Sequence, residues 1–377
     1  MTAQPSFRCT QCQGVLLYSP SQGALRCTHC RAVQQPQKSV LRVEERDLQA
    51  ALKARPETEA GPSLADLPGS RVARCRECGA QVVLAGGLVA SACAFCRSPT
   101  VLAQAQQHSS LRPDSLIPFQ IDRGRAQQII HRWVRGLRFR PSDLVSSSQT
   151  QRFFGIYVPY YTFDAQVESS WSGEAGYAYT ETETYEESVD GQTVQKTREV
   201  KKMRWESRSG TRRDTYDDLL IGAGRGLTRE LAAQVDSFRT GALLPYAPEY
   251  LVGFLAEESS LDLATAWRRG ESSIRFFQEQ RCQSDVGGDE QRNVSVDSTL
   301  SKLTYKQVLL PFWVLSYRYR DRSYRIVVNG QSGELAGEAP YAKAKILALV
   351  LALVVALLLA YAYVVTQVLP SQGGLHP

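Results

Sequence analysis

The chain has 377 residues, of which 43% are hydrophobic and 22% are charged. This composition is typical of a globular protein with a buried core and excludes an intrinsically disordered chain. The formal net charge is only +6, which argues against a function that depends on bulk positive charge alone.

Eight of the nine cysteines form two copies of one pattern near the N-terminus. In each copy a Cys-x2-Cys pair is followed by 14 residues and a second Cys-x2-Cys pair, and the copies repeat at 66 residues. Four thiolates are the donor set that Zn²⁺ prefers in closed structural sites. We therefore predict two structural zinc sites, with the ligands Cys9, Cys12, Cys27 and Cys30 in the first and Cys75, Cys78, Cys93 and Cys96 in the second.

The residues between the cysteine pairs favour small β hairpins. Val15–Tyr18 is followed by a turn at Ser19–Gly23, and in the second copy Val82–Leu84 is followed by Gly86–Gly87 and Leu88–Val89. A strand, a turn with glycine and a second strand bring one cysteine pair to face the other. The pattern predicts zinc ribbons at residues 1–36 and 71–103.

Two other interpretations of the cysteines stay open at this point. A disulfide framework needs an oxidising compartment, and Met1–Ser6 has no apolar signal-peptide core. A rubredoxin-type iron centre uses the same paired cysteines, although we favour zinc. His29 needs no role beside four thiolates, and Cys282 stands apart from any His or Asp constellation, as a bystander.

Between the ribbons, residues 37–70 are predicted to be a linker. The stretch contains Pro56, Pro62 and Pro68, with a short charged helix predicted at Val43–Arg55. A second polar hinge is predicted at Gln104–Arg112.

A mixed α+β domain is predicted over residues 113–340. It begins with a strand at Leu116–Ile121 and a helix that Asp122 caps and that continues to Leu137. Phe153–Phe163 is a strong strand prediction.

A long hairpin is predicted at Tyr177–Trp205, around the favoured turn Asp190–Gly191. Its first strand is acidic and its second strand is basic. Opposite charges on facing strands can pair across the ladder, and we favour this interpretation over a basic surface for nucleic acid or phospholipid. The cluster Arg208, Arg212 and Arg213 keeps the second interpretation open.

Helices and strands alternate in the second half of this domain. One amphipathic helix is predicted from Leu227 to Phe238, and a second begins at Pro248–Leu255 and continues in pieces to Phe277. Strands are predicted at Val308–Tyr319 and Tyr324–Val328.

One proline motif occurs in two of the predicted strands. Leu309–Trp313 echoes Tyr157–Tyr161, and each has a proline before two aromatic residues. The echo suggests two related β units, with each proline at an edge or a bulge.

The C-terminal region predicts a transmembrane helix at residues 346–366. Ile346–Val365 has no charge and, as a helix, is about 30 Å long, which matches a bilayer core. Lys343 and Lys345 precede it, whereas the tail at residues 367–377 has no Lys or Arg. This bias, and the reducing compartment that thiolate ligands need, predict cytoplasmic N-terminal domains, a short external tail and a single-pass, tail-anchored protein of the bacterial inner membrane.

The predicted fold class is therefore multi-domain: two small β zinc ribbons, a mixed α+β cytoplasmic domain and one C-terminal transmembrane helix.

Several segments of the central domain resemble a bacterial family of zinc-ribbon membrane proteins, often labelled primosomal-helicase-like or TFIIB-type zinc-ribbon proteins. The similar segments are Leu116–Phe119, Phe139–Leu144, Gly155–Tyr161, Tyr250–Glu257, Leu310–Trp313 and Asn329–Gly333. Members of that family occur beside PspA-like and flotillin-like (SPFH) proteins, so the resemblance implies a role in envelope stress or membrane organisation. This chain has two complete ribbons, whereas we expect one in several relatives.

The sequence does not support helicase activity. ATP hydrolysis needs a phosphate-binding GxxxxGK[ST] loop, and the glycines at Gly222, Gly224 and Gly226 have no such lysine. No histidine accompanies a nucleophile motif, so we expect neither an enzyme nor a small-molecule substrate. We expect an adaptor that recruits protein partners to the membrane; a membrane-tethered protein that binds nucleic acid is the alternative.

Overall fold

The computed structural model describes residues 7–36, 43–54, 71–84, 93–98, 101–104, 113–141, 153–189, 192–320 and 322–363. Some predicted features lie outside these ranges. They are the strand at Leu88–Val89, the Asp190–Gly191 turn, most of the hinge at Gln104–Arg112, much of the linker and the C-terminal tail.

Strands dominate the described residues. The strands are β1 (Leu16–Ser19), β2 (Ala24–Cys27), β3 (Val33–Gln34), β4 (Arg46–Asp47), β5 (Arg71–Cys75), β6 (Gln81–Leu84), β7 (Val101–Gln104), β8 (Ser115–Leu116), β9 (Phe153–Val189), β10 (Gln192–Gly222), β11 (Leu244–Pro245), β12 (Leu255–Glu257), β13 (Glu290–Tyr319), β14 (Arg322–Asn329) and β15 (Leu335–Gly337). The helices are α1 (Leu48–Lys53), α2 (Arg123–Gly136), α3 (Arg229–Ala233), α4 (Leu263–Val286) and α5 (Lys343–Tyr363).

The first ribbon is the predicted strand–turn–strand unit. β1, β2 and β3 form an antiparallel sheet. Leu16 and Tyr18 are buried while Leu17 between them is 39% exposed, the alternation expected of a strand with one covered face. Gly23 supplies the positive φ of the turn.

The second ribbon is continuous with the main sheet. β5 pairs with both β6 and β7, and β6 also pairs with β12, where Val83 lies opposite Ala256. Ribbon strands and central strands therefore share one hydrogen-bonded sheet.

Part of the predicted linker packs against the central sheet. β4 pairs with β13, and Leu48 is fully buried beside it. The helix prediction at Val43–Arg55 was too long, because the Asp47 side chain accepts a hydrogen bond from Ala50 N at 2.7 Å and so starts α1 at Leu48.

In the first half of the central region, the structure confirms the helix predicted after Asp122 and shortens the strand predicted at Leu116–Ile121. Asp122 caps α2 as predicted, accepting a hydrogen bond from Arg125 N at 2.8 Å. The strand predicted at Leu116–Ile121 is only two residues long. It ends early because Gln120 N and Ile121 N both donate to the Gly330 carbonyl instead of a neighbouring strand.

Two predicted helices of the second half were wrong in extent or type. The helix from Leu227 to Phe238 is reduced to α3, since Val235 N bonds to Ala232 O in a tight turn. Pro248–Leu251 is a single 3-10 turn, and Gly253 with φ +94° then reverses the chain into strand β12. Asp262 caps α4, which runs unbroken past Phe277 to Val286.

Three long strands organise the main sheet. β9 pairs with β13 from Phe153 opposite Leu315 to Gly176 opposite Glu290, and with β10 on its other side. Beyond Gly176, β9 and β10 continue as a two-stranded ribbon, residues 177–189 and 192–204, which we call the hairpin arm. The predicted long hairpin is thus confirmed, and it is the end of a longer one.

Charges on the hairpin arm pair across the ladder. Lys196 lies 2.7 Å from Glu187, and Lys202 lies 2.9 Å from Glu181 and 2.8 Å from Glu183. Arg198 also contacts Glu183, at 3.3 Å. Three residues of the basic run thus pair with the neighbouring strand, which agrees with the favoured interpretation.

The proline echo extends into an internal repeat. β8 runs parallel to β13, and β12 runs parallel to β9. Where β9 pairs with β13, Leu309 lies opposite Pro159 and Pro311 lies opposite Tyr157. Because Leu309 corresponds to Tyr157 in the motif and Pro311 corresponds to Pro159, the repeat relates these two cross-strand pairs. The carbonyls of Pro159 and Pro311 accept from Ala223 N and Gly330 N respectively.

The prediction that these prolines lie at an edge or a bulge was wrong. Both lie inside the sheet, at the point where one neighbouring strand ends and another begins. Pro159 of β9 lies between the segments that pair with β12 and with β10. Pro311 of β13 lies between the segments that pair with β8 and with β14. Such a gap between partners tolerates a residue without an N–H donor.

Phe254 is at the centre of the aromatic core. Its ring stacks on Phe119 at 4.2 Å between centroids and contacts Trp313 at 5.9 Å and Tyr157 at 6.0 Å. Tyr18 of the first ribbon lies 6.4 Å away. One side chain thus joins the ribbon to both halves of the repeat.

We predict that Phe254→Ala lowers the free energy of unfolding by about 3–5 kcal/mol, because it leaves a cavity among four rings. Phe276→Ala is the control, since that ring is 56% exposed, and should change stability by less than about 0.5 kcal/mol. Denaturant unfolding of the full-length protein in detergent measures both. Equal effects of the two variants would contradict the central role of Phe254.

Candidate metal centres

The first four-cysteine group is brought together by the two turns of ribbon 1. Cys9 Sγ lies 3.5 Å from Cys30 Sγ, and Cys12 Sγ lies 3.5 Å from Cys27 Sγ. All four ligand atoms lie within 4.8 Å of one another. Cys9 and Cys27 are buried, and Cys30 is at the surface.

The second group repeats this arrangement. Cys75 Sγ lies 3.4 Å from Cys96 Sγ, and Cys78 Sγ lies 3.6 Å from Cys93 Sγ. The pairing of first with fourth and second with third cysteine is the same as in ribbon 1. The spacing therefore brought together all eight predicted ligands, four in each group.

Each cysteine pair sits in the same backbone turn. The first cysteine of every pair donates its N–H to a carbonyl five residues ahead: Gly14, Ala32, Ala80 and Ser98. The residue after each second cysteine has a positive φ, and those residues are Gln13, Arg31, Gly79 and Arg97. Since only one of these is glycine, the turn is maintained against a steric cost of about 1–2 kcal/mol at the other three.

Backbone N–H groups point at the sulfurs. His29 N lies 3.4 Å from Cys27 Sγ, and Phe95 N lies 3.4 Å from Cys93 Sγ. Burial raises the pKa of Cys27, but hydrogen bonds from the N–H groups of Cys30 and His29 outweigh it and bring the pKa to about 6. The Cys78 thiol and the N–H groups of Cys96 and Phe95 lower the pKa of Cys93 to about 5. One thiolate, the form that binds metal, is thus favoured in each group, whereas hydrogen bonds between the sulfurs and burial raise the pKa values of Cys30, Cys78 and Cys96.

Both groups fit a zinc ion. A tetrahedron with Zn–S near 2.3 Å separates its sulfurs by about 3.8 Å. The paired sulfurs lie at 3.4–3.6 Å, and all nine cysteines are free thiols. The two groups could therefore hold two zinc ions, one in each ribbon.

The second centre is fixed to the central sheet by its own turn. Ser316 Oγ of β13 lies 3.0 Å from Ala94 O and 2.7 Å from Phe95 O. The Phe95 ring is fully buried against Gly226, where a Cβ atom would come within 2.3 Å of it. Sequence analysis interpreted the glycines of this loop only as a turn, but Gly226 is required by close packing against Phe95 and Gly224 by close packing against Glu257.

Glu257 is a buried carboxyl group beside this centre. Its Oε1 accepts hydrogen bonds from Arg225 N and Gly226 N, both at 2.7 Å, while Oε2 has no hydrogen-bond partner. Burial raises the pKa of Glu257 to about 7, and the nearby Cys93 contributes in the same direction. Sequence analysis missed this residue, because its neighbours Leu255 and Ala256 suggested an apolar helix.

The first centre is fixed to the same segment of the chain. Tyr18 N donates to Val252 O at 3.1 Å, and the Tyr18 ring packs edge-on against Tyr250 at 5.2 Å. Leu17 packs on Gly253, where a Cβ atom would lie 3.3 Å from its methyl group.

A third group of possible ligands is partly neutralised. Asp164, Asp217 and Asp218 lie close together, and Lys306 Nζ is 2.8 Å from Asp218 Oδ1. The ammonium group offsets one of the three carboxylate charges. Cys282 is buried in α4, and burial raises the pKa of its thiol more than Arg212 and Ser169 lower it, so the thiol is not activated.

The chain is similar to one bacterial protein. YdjG of Bacillus subtilis (strain 168), described as uncharacterized, is 24% identical over 248 residues, which cover 63% of this chain and 67% of YdjG. No family model matches the chain. No solved structure matches it either.

We predict that the full-length protein binds two zinc ions per chain. Cys9→Ser and Cys75→Ser should each leave one ion, because three thiolates hold zinc far more weakly than four. Cys282→Ser is the matched control and should keep both. Native mass spectrometry and elemental analysis measure the count and separate zinc from iron; a wild-type count of one would contradict the second site.

We also predict a pH-dependent stability that depends on Glu257. Because the pKa is raised from 4.5 to about 7, the folded protein binds this proton more tightly than the unfolded chain does. The resulting stability is complete below about pH 4.5 and is lost as the pH rises to about 7, by roughly 3 kcal/mol. Glu257→Gln, which mimics the protonated form, should abolish that loss.

Thermal unfolding between pH 5 and pH 8 in detergent tests this prediction. Glu230→Gln, at an exposed carboxylate of α3, should retain the wild-type pH dependence. Identical pH profiles for wild type and Glu257→Gln would show that Glu257 is ionised throughout.

Proposed function

We propose that this chain is a membrane-anchored scaffold whose cytoplasmic part recruits protein partners to the bacterial inner membrane. The two zinc ions have a structural role in this proposal, and no reaction is assigned to the protein.

The anchor is α5. Lys343–Tyr363 is a helix of 21 residues that contains an 18-residue window with a mean hydropathy of 2.8, none of it buried against the rest of the chain, and it is long and apolar enough to cross a membrane. Lys343 and Lys345 at its start support an orientation with the N-terminal side in the cytoplasm. Two thiolate metal centres on that side support the same orientation, because the cytoplasm is reducing.

The hairpin arm is the observation that favours a scaffold. It extends 13 residue pairs beyond the end of β13, about 40 Å at roughly 3.3 Å per residue. Most of its described side chains are exposed and none is buried, and the exposed ones include Tyr179 and Tyr185 at 46% and 37%. A two-stranded ribbon is marginally stable in water, and its free edges are suited to adding a partner strand.

The charges of the arm favour a protein partner over nucleic acid. Three of the basic residues of β10 in the arm, Lys196, Arg198 and Lys202, are paired with acidic residues of β9, and Arg204 pairs with Glu206, so most of the positive row that could track a phosphate backbone is neutralised. By the resemblance described above, PspA-like or SPFH-like proteins are the partners that we propose, in envelope stress or membrane organisation.

A shortened arm tests this proposal. Deletion of Thr182–Val189 together with Gln192–Glu199 leaves Asp190–Gly191 to join Glu181 and Val200, which already lie opposite each other. We expect this variant to keep its two metal ions and its membrane insertion but to lose co-purifying partners and to leave them in the soluble fraction. Crosslinking in intact membranes followed by mass spectrometry measures this.

The matched control exchanges one ion pair, Glu187→Lys with Lys196→Glu, which keeps the length and the pairing of the arm. It should retain the partners. Retention of all partners by the shortened arm would overturn the proposal. Salt-dependent binding of purified protein to DNA or RNA, without a protein partner, would favour the nucleic-acid alternative.

A further inference from the structure

A cavity of about 800 Å³ lies where the anchor helix meets the cytoplasmic part. One wall is the turn between β13 and β14, with Arg320 and Arg322, and the opposite wall is the start of α5, with Lys343. Tyr319, Tyr324 and Tyr341 also line it. Its volume is within the range of about 300–1,000 Å³ that is usual for ligand sites.

The walls of this cavity are held in place. Tyr324 stacks on the buried Tyr317 at 5.4 Å, and the Tyr317 hydroxyl donates to Glu338 O at 2.8 Å. On the other side, Ala342 N donates to Phe139 O at 2.7 Å, and Lys345 Nζ donates to Arg140 O at 2.9 Å. The segment before Pro141 therefore ties the first turn of α5 to the body of the protein.

The cavity has a positive charge that the described residues do not compensate. Among the ion pairs of the described residues, none involves Arg320, Arg322 or Lys343. Asp321 lies between the two arginines in the sequence and outside the described residues; with its charge included, three cations and one carboxylate leave +2. Glu338 is not among the lining residues.

A cavity with this positive charge is suited to an anionic ligand, and its position indicates where that ligand comes from. Lys343 and Ala344 line it and are also the first residues of the helix long enough to span a bilayer. A cavity at that point lies at the level of the lipid headgroups, where tyrosine rings concentrate and where anionic lipids attract Lys and Arg.

From this geometry we propose that the cavity binds the phosphate-containing headgroup of an anionic phospholipid. Arg320 and Arg322 donate hydrogen bonds to its phosphate oxygens, Lys343 adds a third charge, and the tyrosines contact the glycerol region. The inference rests on the proposal that α5 spans a membrane, and it adds that the anchor selects the lipid beside it.

Lipid titration of the full-length, delipidated protein in detergent tests this inference. Native mass spectrometry compares phosphatidylglycerol with phosphatidylcholine of the same acyl chains. We expect the wild type to bind phosphatidylglycerol at least about tenfold more tightly, and the double variant Arg320→Gln/Arg322→Gln to lose about tenfold in that affinity with phosphatidylcholine unchanged. The double variant Arg198→Gln/Arg204→Gln removes the same charge from the hairpin arm and should bind like the wild type.

Three outcomes would overturn the inference: equal binding of the two lipids by the wild type, an unchanged preference in the cavity variant, or inorganic phosphate binding as tightly as phosphatidylglycerol. The last would indicate a site for a soluble anion. Resistance of the protein to carbonate extraction from membranes tests the anchor separately. A protein that resists extraction but shows no lipid preference contradicts the cavity site alone, whereas an extractable protein contradicts the proposed anchor.

Discussion

The segment Tyr250–Glu257 is the constraint on which the other parts of this structure depend. It accepts the hydrogen bond from Tyr18 of the first ribbon, and its strand β12 lies between β6 of the second ribbon and β9 of the central sheet. Gly253, with φ +94°, reverses the chain direction within this segment. The residues before it therefore contact the first ribbon, and the residues after it pair with the second. The two ribbons that carry the four-cysteine groups and the longest strand therefore meet on these eight residues.

This arrangement changes how the ribbons contribute to function. Sequence alone suggested docking modules joined by a linker. The carbonyls of Ala94 and Phe95 instead accept hydrogen bonds from Ser316 in the middle of β13, and Phe95 fills the space left by Gly226. Metal binding is thus coupled to the stability of the central sheet. The hairpin arm, by contrast, is far from both four-cysteine groups in sequence and contains none of the eight cysteines.

The features that sequence predicted are those with a short-range signal. Eight thiols at fixed spacing specify both four-cysteine groups, Asp122 before a periodic stretch specifies α2, and the acidic and basic stretches on either side of the predicted turn indicate the two strands of the long hairpin. The missed features depend on distant partners. Leu255–Glu257 is a strand because β6 and β9 lie on both sides of it, and Glu257 is recognisable only after Arg225 and Gly226 are seen beside it.

Each repeat consists of a short strand followed by a long one, and each short strand pairs with the long strand of the other repeat: β8 with β13, and β12 with β9. This exchange has a kinetic consequence. β8 pairs with the strand of the second repeat, and Asp114 contacts Gln307 across a separation of 193 residues. Contacts between residues so far apart in the sequence form slowly, because the chain loses the conformational entropy of the intervening loop before the contact stabilises it. Neither repeat can complete its sheet until the other has been synthesised. The nascent chain therefore exposes unpaired strand edges until β13 has been synthesised, and such edges favour aggregation of partly folded chains.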